Sequence, residues 1–382
     1  MAPVFLDQPA LLLTITLLTA FLITLVSIPS IIEVARAKHL YDEPNGRTSH
    51  TVSTPTLGGM AIYAGLIISS MIFVNIERIG YIQYIIAASI IIFFIGLKDD
   101  ILTIAPFKKL IGQIIAAAII IDLGDVRFTN LHGFLGFHEI GYLPSALISL
   151  FVIIVTINAF NLIDGIDGLA SGIGMLVVSF FGIWFYLVGH FELSVLSAAL
   201  VGSLMAFFRY NVFSRQYKIF MGDIGSLTLG FFIAVLLIRF NEINVGLQSP
   251  YAIKAAPVVS FGVLILPMFD TLRVFIIRIS RGNSPFKADK LHMHHRIIAL
   301  HKTHFQASMI LITANAGFIV IALLLQNLGM YWLGLIILSL ALFLSYLPVY
   351  LHNKQLKANK QLEAKNEVKV SPIKPSSSSY TT

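Results

Sequence analysis

Four clusters in an otherwise apolar chain have the residue types and spacing that chemistry needs. They are Lys98-Asp99-Asp100, the string holding Asn158, Asn161, Asp164-Gly165 and Asp167-Gly168, Met221-Gly222-Asp223-Ile224-Gly225-Ser226, and His292-Met293-His294-His295-Arg296. Asp99 and Asp100 are neighbours, and two like charges repel unless a cation or a proton relieves them. A pair that merely caps a helix at an interface fits the same letters. Asn158, Asn161, Asp164 and Asp167 recur every three residues, which on a helix keeps polar groups on one slowly drifting stripe. Gly165 and Gly168 break the helix there and let another backbone or a ligand come close. A plain polar loop with Asp-Gly turns is the alternative, and apolar neighbours at membrane depth argue against it. Asp223, between glycines and just before an apolar run, reads either as an N-cap or as a Mg²⁺ ligand, since Mg²⁺ takes one or two carboxylates and fills its shell with water and substrate phosphate. Asn161 could supply a neutral oxygen beside it. The three histidines suggest zinc, but Arg278, Arg281, Lys287, Lys290 and Arg296 make the loop cationic and disfavour a dication. That leaves a solvated basic loop or, preferably, a set of donors for a diphosphate or nucleotide. The stretch around Pro44-Asn45-Gly46 and Gly58-Gly59 reads as a turn and a packed helix start.

The elements that must position these clusters are membrane helices. Of 382 residues 57% are hydrophobic and 12% charged, against roughly a quarter charged in an ordinary soluble domain. Most of the exterior must therefore face lipid. With no cysteine, disulfides, thiolate nucleophiles and Cys-ligated metals are excluded. A spanning helix needs about 20 apolar residues. Eleven segments qualify, at 10–32, 57–74, 79–97, 110–121, 143–160, 169–188, 193–208, 226–238, 255–277, 308–325 and 330–351, the fourth and eighth being short. The start carries Asp7 and no basic residue before its first apolar run, which does not fit a cleaved signal.

Alternating these spans from an outside amino terminus puts all but four of the 26 basic residues inside, with Arg78, Arg127, Arg239 and Lys254 outside. The carboxyl terminus is then cytoplasmic, and all four polar clusters share the cytoplasmic face. The expected fold is an all-α polytopic membrane protein: one domain over 1–351 and a Lys- and Ser-rich tail, 352–382, expected to be disordered. No inverted repeat is visible. The net charge of +7 points to anionic lipid and anionic substrates rather than nucleic acid. Acids, imidazoles and cations converging on one face are what a site for phosphate chemistry requires.

Taken together, and in this order, Pro55-Thr-Leu-Gly-Gly59, Asp99-Asp100, the string Asn158-Ala-Phe-Asn-Leu-Ile-Asp-Gly-Ile-Asp-Gly-Leu-Ala170, Met221 to Ser226 and His292-Met-His-His295 resemble the polyprenyl-phosphate N-acetylhexosamine-1-phosphate transferases. That family includes the WecA and TagO enzymes and, more distantly, the MraY translocase. The resemblance implies transfer of a sugar 1-phosphate from a UDP-N-acetylhexosamine to undecaprenyl phosphate, with release of UMP and a need for Mg²⁺, Mn²⁺ being a possible substitute. It implies a multi-pass enzyme of the cytoplasmic membrane, a possible homodimer, serving cell-envelope polysaccharide synthesis. By motif position Asp223 matches the principal metal ligand and Asn161 its partner. Asp99 and Asp100 match the acidic pair assigned to the lipid phosphate. Asp164 and Asp167 match the acidic loop positions, one of them the nucleophile of a two-step scheme. His292, His294, His295 and Arg296 fall in the histidine motif near the diphosphate or nucleotide, and Asn158 and Lys109 join the expected substrate-binding set. Met293 splits the histidines as in the WecA-like branch. Thr103 stands where some members carry a third acid, and Val52 and Ser53 where a lysine is common. An MraY-type transfer from UDP-MurNAc-pentapeptide is the alternative reaction. A transporter is disfavoured, because the polar clusters sit at one face rather than mid-span.

Overall fold

The computed structural model describes residues 8–42, 54–74, 80–283, 291–300 and 302–370. The segment holding Pro44 to Arg47, Val52 and Ser53, Arg78, the loop lysines 287 and 290, and the end of the tail with Lys374 lie outside the described residues. The eleven apolar segments fall on helical backbone where they are described, the ninth on two helices rather than one. In chain order these are α1 (Pro9–Ala37), the strand pair β1 (Tyr41–Asp42) and β2 (Thr54–Pro55), α2 (Gly58–Phe73), α3 (Ile82–Leu102), α4 (Pro106–Ala118), the hairpin β3 (Asn130–Phe134) and β4 (Phe137–Glu139), α5 (Tyr142–Ile163), α6 (Leu169–Leu187), α7 (Phe191–Phe208) and α8 (Gly222–Asn244). The remaining helices are α9 (Ala256–Val263), α10 (Ile265–Ser280), α11 (Met293–Ile298), α12 (His304–Leu325) and α13 (Met330–Val370). Both strand pairs are antiparallel. Among the described residues, seven helices are long and apolar enough to cross a bilayer, or eight if α9 and α10 count as one broken span. The protein is thus all-α and polytopic.

Helix α8 is the axis of the bundle. Nearly all its side chains are buried, because α2, α3, α5 and α6 pack around it. α1 lies further out, on α2 and α7. Hydropathy alone placed this helix at 226–238, yet it begins at Gly222 and ends at Asn244. The extra turns carry polar groups with partners: Arg239 lies over the Tyr81 ring, Asn241 donates to Leu237 O and Ser260 Oγ, and Glu242 accepts from Thr129. The close approach of α2 to α8 needs Gly59, where a Cβ would lie 2.1 Å from Gly225 N.

Two expectations change. The segment 255–277 does not form one straight helix; α9 and α10 meet at an angle of 80° across Leu264. Pro267 lacks the N–H that would bond Val263 O, and Asn315 Nδ2 on α12 takes that place at 3.0 Å. The freed carbonyl is thereby satisfied and the break is stable. At the carboxyl end, where composition predicted disorder from 352, α13 continues as helix to Val370. Lys, Gln, Glu and Ala, strong helix formers, dominate this stretch.

Candidate active site

The amino-terminal end of α8 is where the clusters meet. Gly222 has φ +68°, a left-handed turn that suits glycine, and a Cβ there would lie 2.1 Å from Thr56 O and 2.7 Å from Asp100 Oδ2. This turn brings the segment from Phe220 against α2, with Gly58 N donating to Phe220 O at 3.0 Å and Gly59 N to Met221 O at 2.8 Å. The cap of α8 comes from another helix. Asp100, in the last turn of α3, accepts from Asp223 N at 2.7 Å and from Ile224 N at 3.1 Å. Its two oxygens satisfy these orphan amides at the positive helix end, which leaves the Asp223 carboxylate free for other work.

That carboxylate faces Lys109 of α4. Lys109 Nζ is 2.9 Å from Asp223 Oδ2, 3.0 Å from Asp99 Oδ2 and 3.4 Å from Asn161 Oδ1. Asn161, near the end of α5, donates its amide to Asp223 Oδ1 and, at 2.9 Å, to Ser226 Oγ. Asp99 is further fixed by Ile104 N at 2.6 Å. Three helices thus aim three oxygens at an ammonium carried by a fourth. Two carboxylates and an amide are hard oxygen donors, the kind that suits a small divalent cation. Among the described residues no group of three His, Cys, Asp or Glu side chains is arranged to enclose a metal. Three such oxygens would leave the rest of a cation's shell to water or substrate.

Next to this knot lies a cleft of about 250 Å³, lined by Thr56, Asp100, Asn161, Asp164, Gly165, Asp167, Asn211, Gly222 and Asp223 among others. Asp164 follows the last residue of α5, and burial, followed by the charges of Asp223, Asp100 and Asp167, raises its carboxyl well above the ordinary range. Asp167 is held differently. Burial alone would raise it, but hydrogen bonds from His304 and Lys218 outweigh that and bring it below its usual value. Its Oδ2 is 2.7 Å from Lys218 Nζ and 3.5 Å from His304 Nδ1. Gly168 N donates to the buried Asn211 at 2.7 Å, which fixes the turn into α6.

The expected residues are not all brought together. Asp99, Asp100, Asn161, Asp164, Asp167, Asp223 and Lys109 share one neighbourhood. Asn158 lies one turn deeper on α5 and donates to Gln113 Oε1 at 2.8 Å, tying α5 to α4 instead of lining the cleft. The histidine motif meets the acidic loop through His294: a Cβ on Gly165 would lie 2.5 Å from His294 Nε2. Burial, then the neighbouring His295 and His292, lower His294 to about 3, so it meets the acidic loop as a neutral ring. His292 turns to Asp270, its Nδ1 2.9 Å from Asp270 Oδ2, and its ring stacks on that of His294 at 5.7 Å. His295 lies against His294 at 4.2 Å between ring centres. Arg296 reaches Ser345 O on α13 at 3.4 Å.

Sequence reasoning missed Asp270, which accepts from Met293 N at 3.1 Å and from Arg273 at 2.6 Å and so anchors the whole motif. A carboxylate inside an apolar run was the available signal. It also missed Lys218 and His304 as partners of Asp167, since only their loop positions were legible.

Residues 82–241, which hold three of the four clusters, match Glycosyl transferase family 4. The chain is 28% identical over 347 residues to the undecaprenyl-phosphate alpha-N-acetylglucosaminyl 1-phosphate transferase of Escherichia coli K12, covering 87% of this chain and 90% of that protein. It is 27% identical over 310 residues to the enzyme of the same name from Yersinia pestis, covering 80% and 82% of the two chains. With the decaprenyl-phosphate N-acetylglucosaminephosphotransferase of Mycobacterium leprae it shares 28% identity over 311 residues, covering 75% and 77%.

Proposed function

We propose that this chain, whose residues 82–241 match Glycosyl transferase family 4, transfers N-acetylglucosamine 1-phosphate from UDP-GlcNAc to undecaprenyl phosphate, yielding the lipid-linked diphosphosugar and UMP. The observation that carries this reading is the convergence of Asp99, Asp223 and Asn161 on Lys109 beside a cleft rimmed by further acids. The similarity to named transferases of this class over most of the chain supports it.

Both reactants are anions, so the site must first bring two phosphates together. Asp223 with Asn161 would hold Mg²⁺, whose chemistry here is to neutralise diphosphate oxygens as UMP departs. Lys109, already seated between two carboxylates, is placed to pass its charge to an incoming phosphate. A lipid phosphate is largely ionised at neutral pH, so no strong base is needed. Its oxygen bonds to the β-phosphorus of the donor, and the bond from that phosphorus to the UMP oxygen breaks with the electron pair leaving on UMP. Asp99 fixes Lys109. Asp100 positions Asp223 by capping its helix. Asp164, raised above its ordinary range by burial and by the charges of Asp223, Asp100 and Asp167, rims the cleft beside them. Fixing the two reactants in place accounts for several kcal/mol, by the usual order of magnitude.

The membrane reading goes with this. Eleven crossings, an outside start and a cytoplasmic end, with α9 and α10 together forming the ninth, place the cleft at the cytosolic face of the inner membrane. The distribution of basic residues supports it. The deciding experiment uses purified protein in detergent with undecaprenyl phosphate, Mg²⁺ and a panel of UDP-sugars, reading UMP. The expected result is UMP release with UDP-GlcNAc only when the lipid is present. UMP released without acceptor would replace single displacement by a covalent step, and turnover of UDP-MurNAc-pentapeptide alone would overturn the donor assignment.

A further inference from the structure

Helix α8 has 23 residues and so runs about 34 Å from the cleft to the far face. The β3–β4 hairpin stands at that far end. Its base is tied to the last turns of α8: Thr129 donates through N and Oγ1 to Glu242 at 2.8 and 2.7 Å, and the His132 ring lies 3.1 Å from Asn241 O. Its tip is tied to the first turn of α13, where Leu135 N donates to Tyr331 Oη at 2.8 Å and the Phe134 ring stacks on Tyr331 at 6.1 Å. The height of the tip is therefore fixed relative to the start of a helix apolar enough to span a bilayer.

The tip has an unusual composition. Phe134 and Phe137 are paired, and the two-residue loop between them, Leu135-Gly136, has φ of +51° and +83°. Such a turn favours Asn-Gly, because a short polar side chain tolerates the left-handed region and leucine does not. Here a leucine is held in that strained position and points outward, 68% exposed, beside Phe137 at 59%. Phe-Leu-Gly-Phe carries no charge. In water such a run is a liability without a partner to cover it. Next to Tyr331, α13 exposes Trp332 at 66%, and further along it the apolar residues Leu335 and Leu342. Exposed aromatic and apolar side chains beside the start of a membrane-length helix are the composition found at membrane–water boundaries.

We propose that the β3–β4 tip is a membrane-interface anchor, with Phe134, Leu135 and Phe137 inserted at the headgroup boundary of the leaflet opposite the cleft. The anchor holds the far end of α8 at a fixed depth, and through α8 the height of the site at its other end.

The chain has two tryptophans, which makes the test direct. With Trp184→Phe and Trp332→Phe, the additional substitution Leu135→Trp gives a single reporter at the tip of the full-length protein. In liposomes of phosphatidylcholine brominated high on the acyl chains, its emission should be blue-shifted from that of free indole and lose most of its intensity, while iodide quenches it weakly. Lipids brominated near the chain ends should quench it less. Phe137→Trp in the same background is the second reporter, on regular strand backbone, and should behave alike if Leu135→Trp does not fold. Water-like emission quenched by iodide would overturn the proposal. So would a reporter shielded from both bromine and iodide, since that means cover by protein such as a second copy of the chain.

Discussion

Lys109 is the hinge of the residue-scale chemistry, because its ammonium is the only positive charge bonded to both Asp99 and Asp223 among the described residues. Removing one member of a buried charge cluster costs about 3–5 kcal/mol, since the rest are left uncompensated. Lys109→Met should therefore lower the melting temperature of metal-free protein by several degrees, and Mg²⁺ should restore more of the loss than it adds to the parent; melts with and without Mg²⁺ decide it. Asp223→Ala should abolish UMP release and with it the dependence of rate on Mg²⁺, so wild-type turnover in that variant would refute the metal role. His294 gives a pH signature. Its folded value is about 3 against an ordinary 6.5, so across that window the unfolded chain binds a proton that the folded chain does not. Stability contributed by the neutral ring is therefore present above about pH 6.5 and declines as pH falls, by up to roughly 1.4 kcal/mol per unit. Thermal melts from pH 8 to 5 should fall less steeply for His294→Gln than for the parent.

Elements matter where one helix completes another. Gly222 provides the turn into α8, and Gly222→Ala would push a methyl group into Thr56 O and the Asp100 carboxylate. A loss of about 2 kcal/mol or more is expected from strain and a weakened cap, together with a fall in turnover larger than the stability loss explains, measured by chemical denaturation and UMP release on the same sample. Such junctions mark the limit of what sequence discloses. The clusters themselves stood out because acids and amides are rare at membrane depth, and the helices because apolar runs need only length. The cap that Asp100 supplies joins residues 123 positions apart, and the break at Leu264 depends on Asn315 of a later helix. Neither relation leaves a local pattern. Asp270 was hidden inside a run whose average hydropathy masked it, and Asn158 followed the three-residue rhythm of its neighbours while facing Gln113.

At the scale of the whole molecule, the cleft and the hairpin lie at opposite ends of α8, so their sidedness can be tested together. The chain contains no cysteine, so single introduced thiols report without background. In right-side-out vesicles, an impermeant maleimide should label Glu139→Cys, at the end of β4, and spare Lys108→Cys, beside the cleft; inverted vesicles should reverse this, and labelling of both from one side would sink the proposed topology. The length of α13 has its own consequence. Its 41 residues extend about 60 Å, roughly twice the hydrocarbon thickness, from beside the hairpin toward the face that holds the cleft. Beyond its apolar part, and past Pro348, it continues as helix in a polar stretch that on the proposed topology extends into the cytosol. A compact marker fused in helical register to that polar extension would give single-particle imaging a visible handle on a protein otherwise submerged in its micelle.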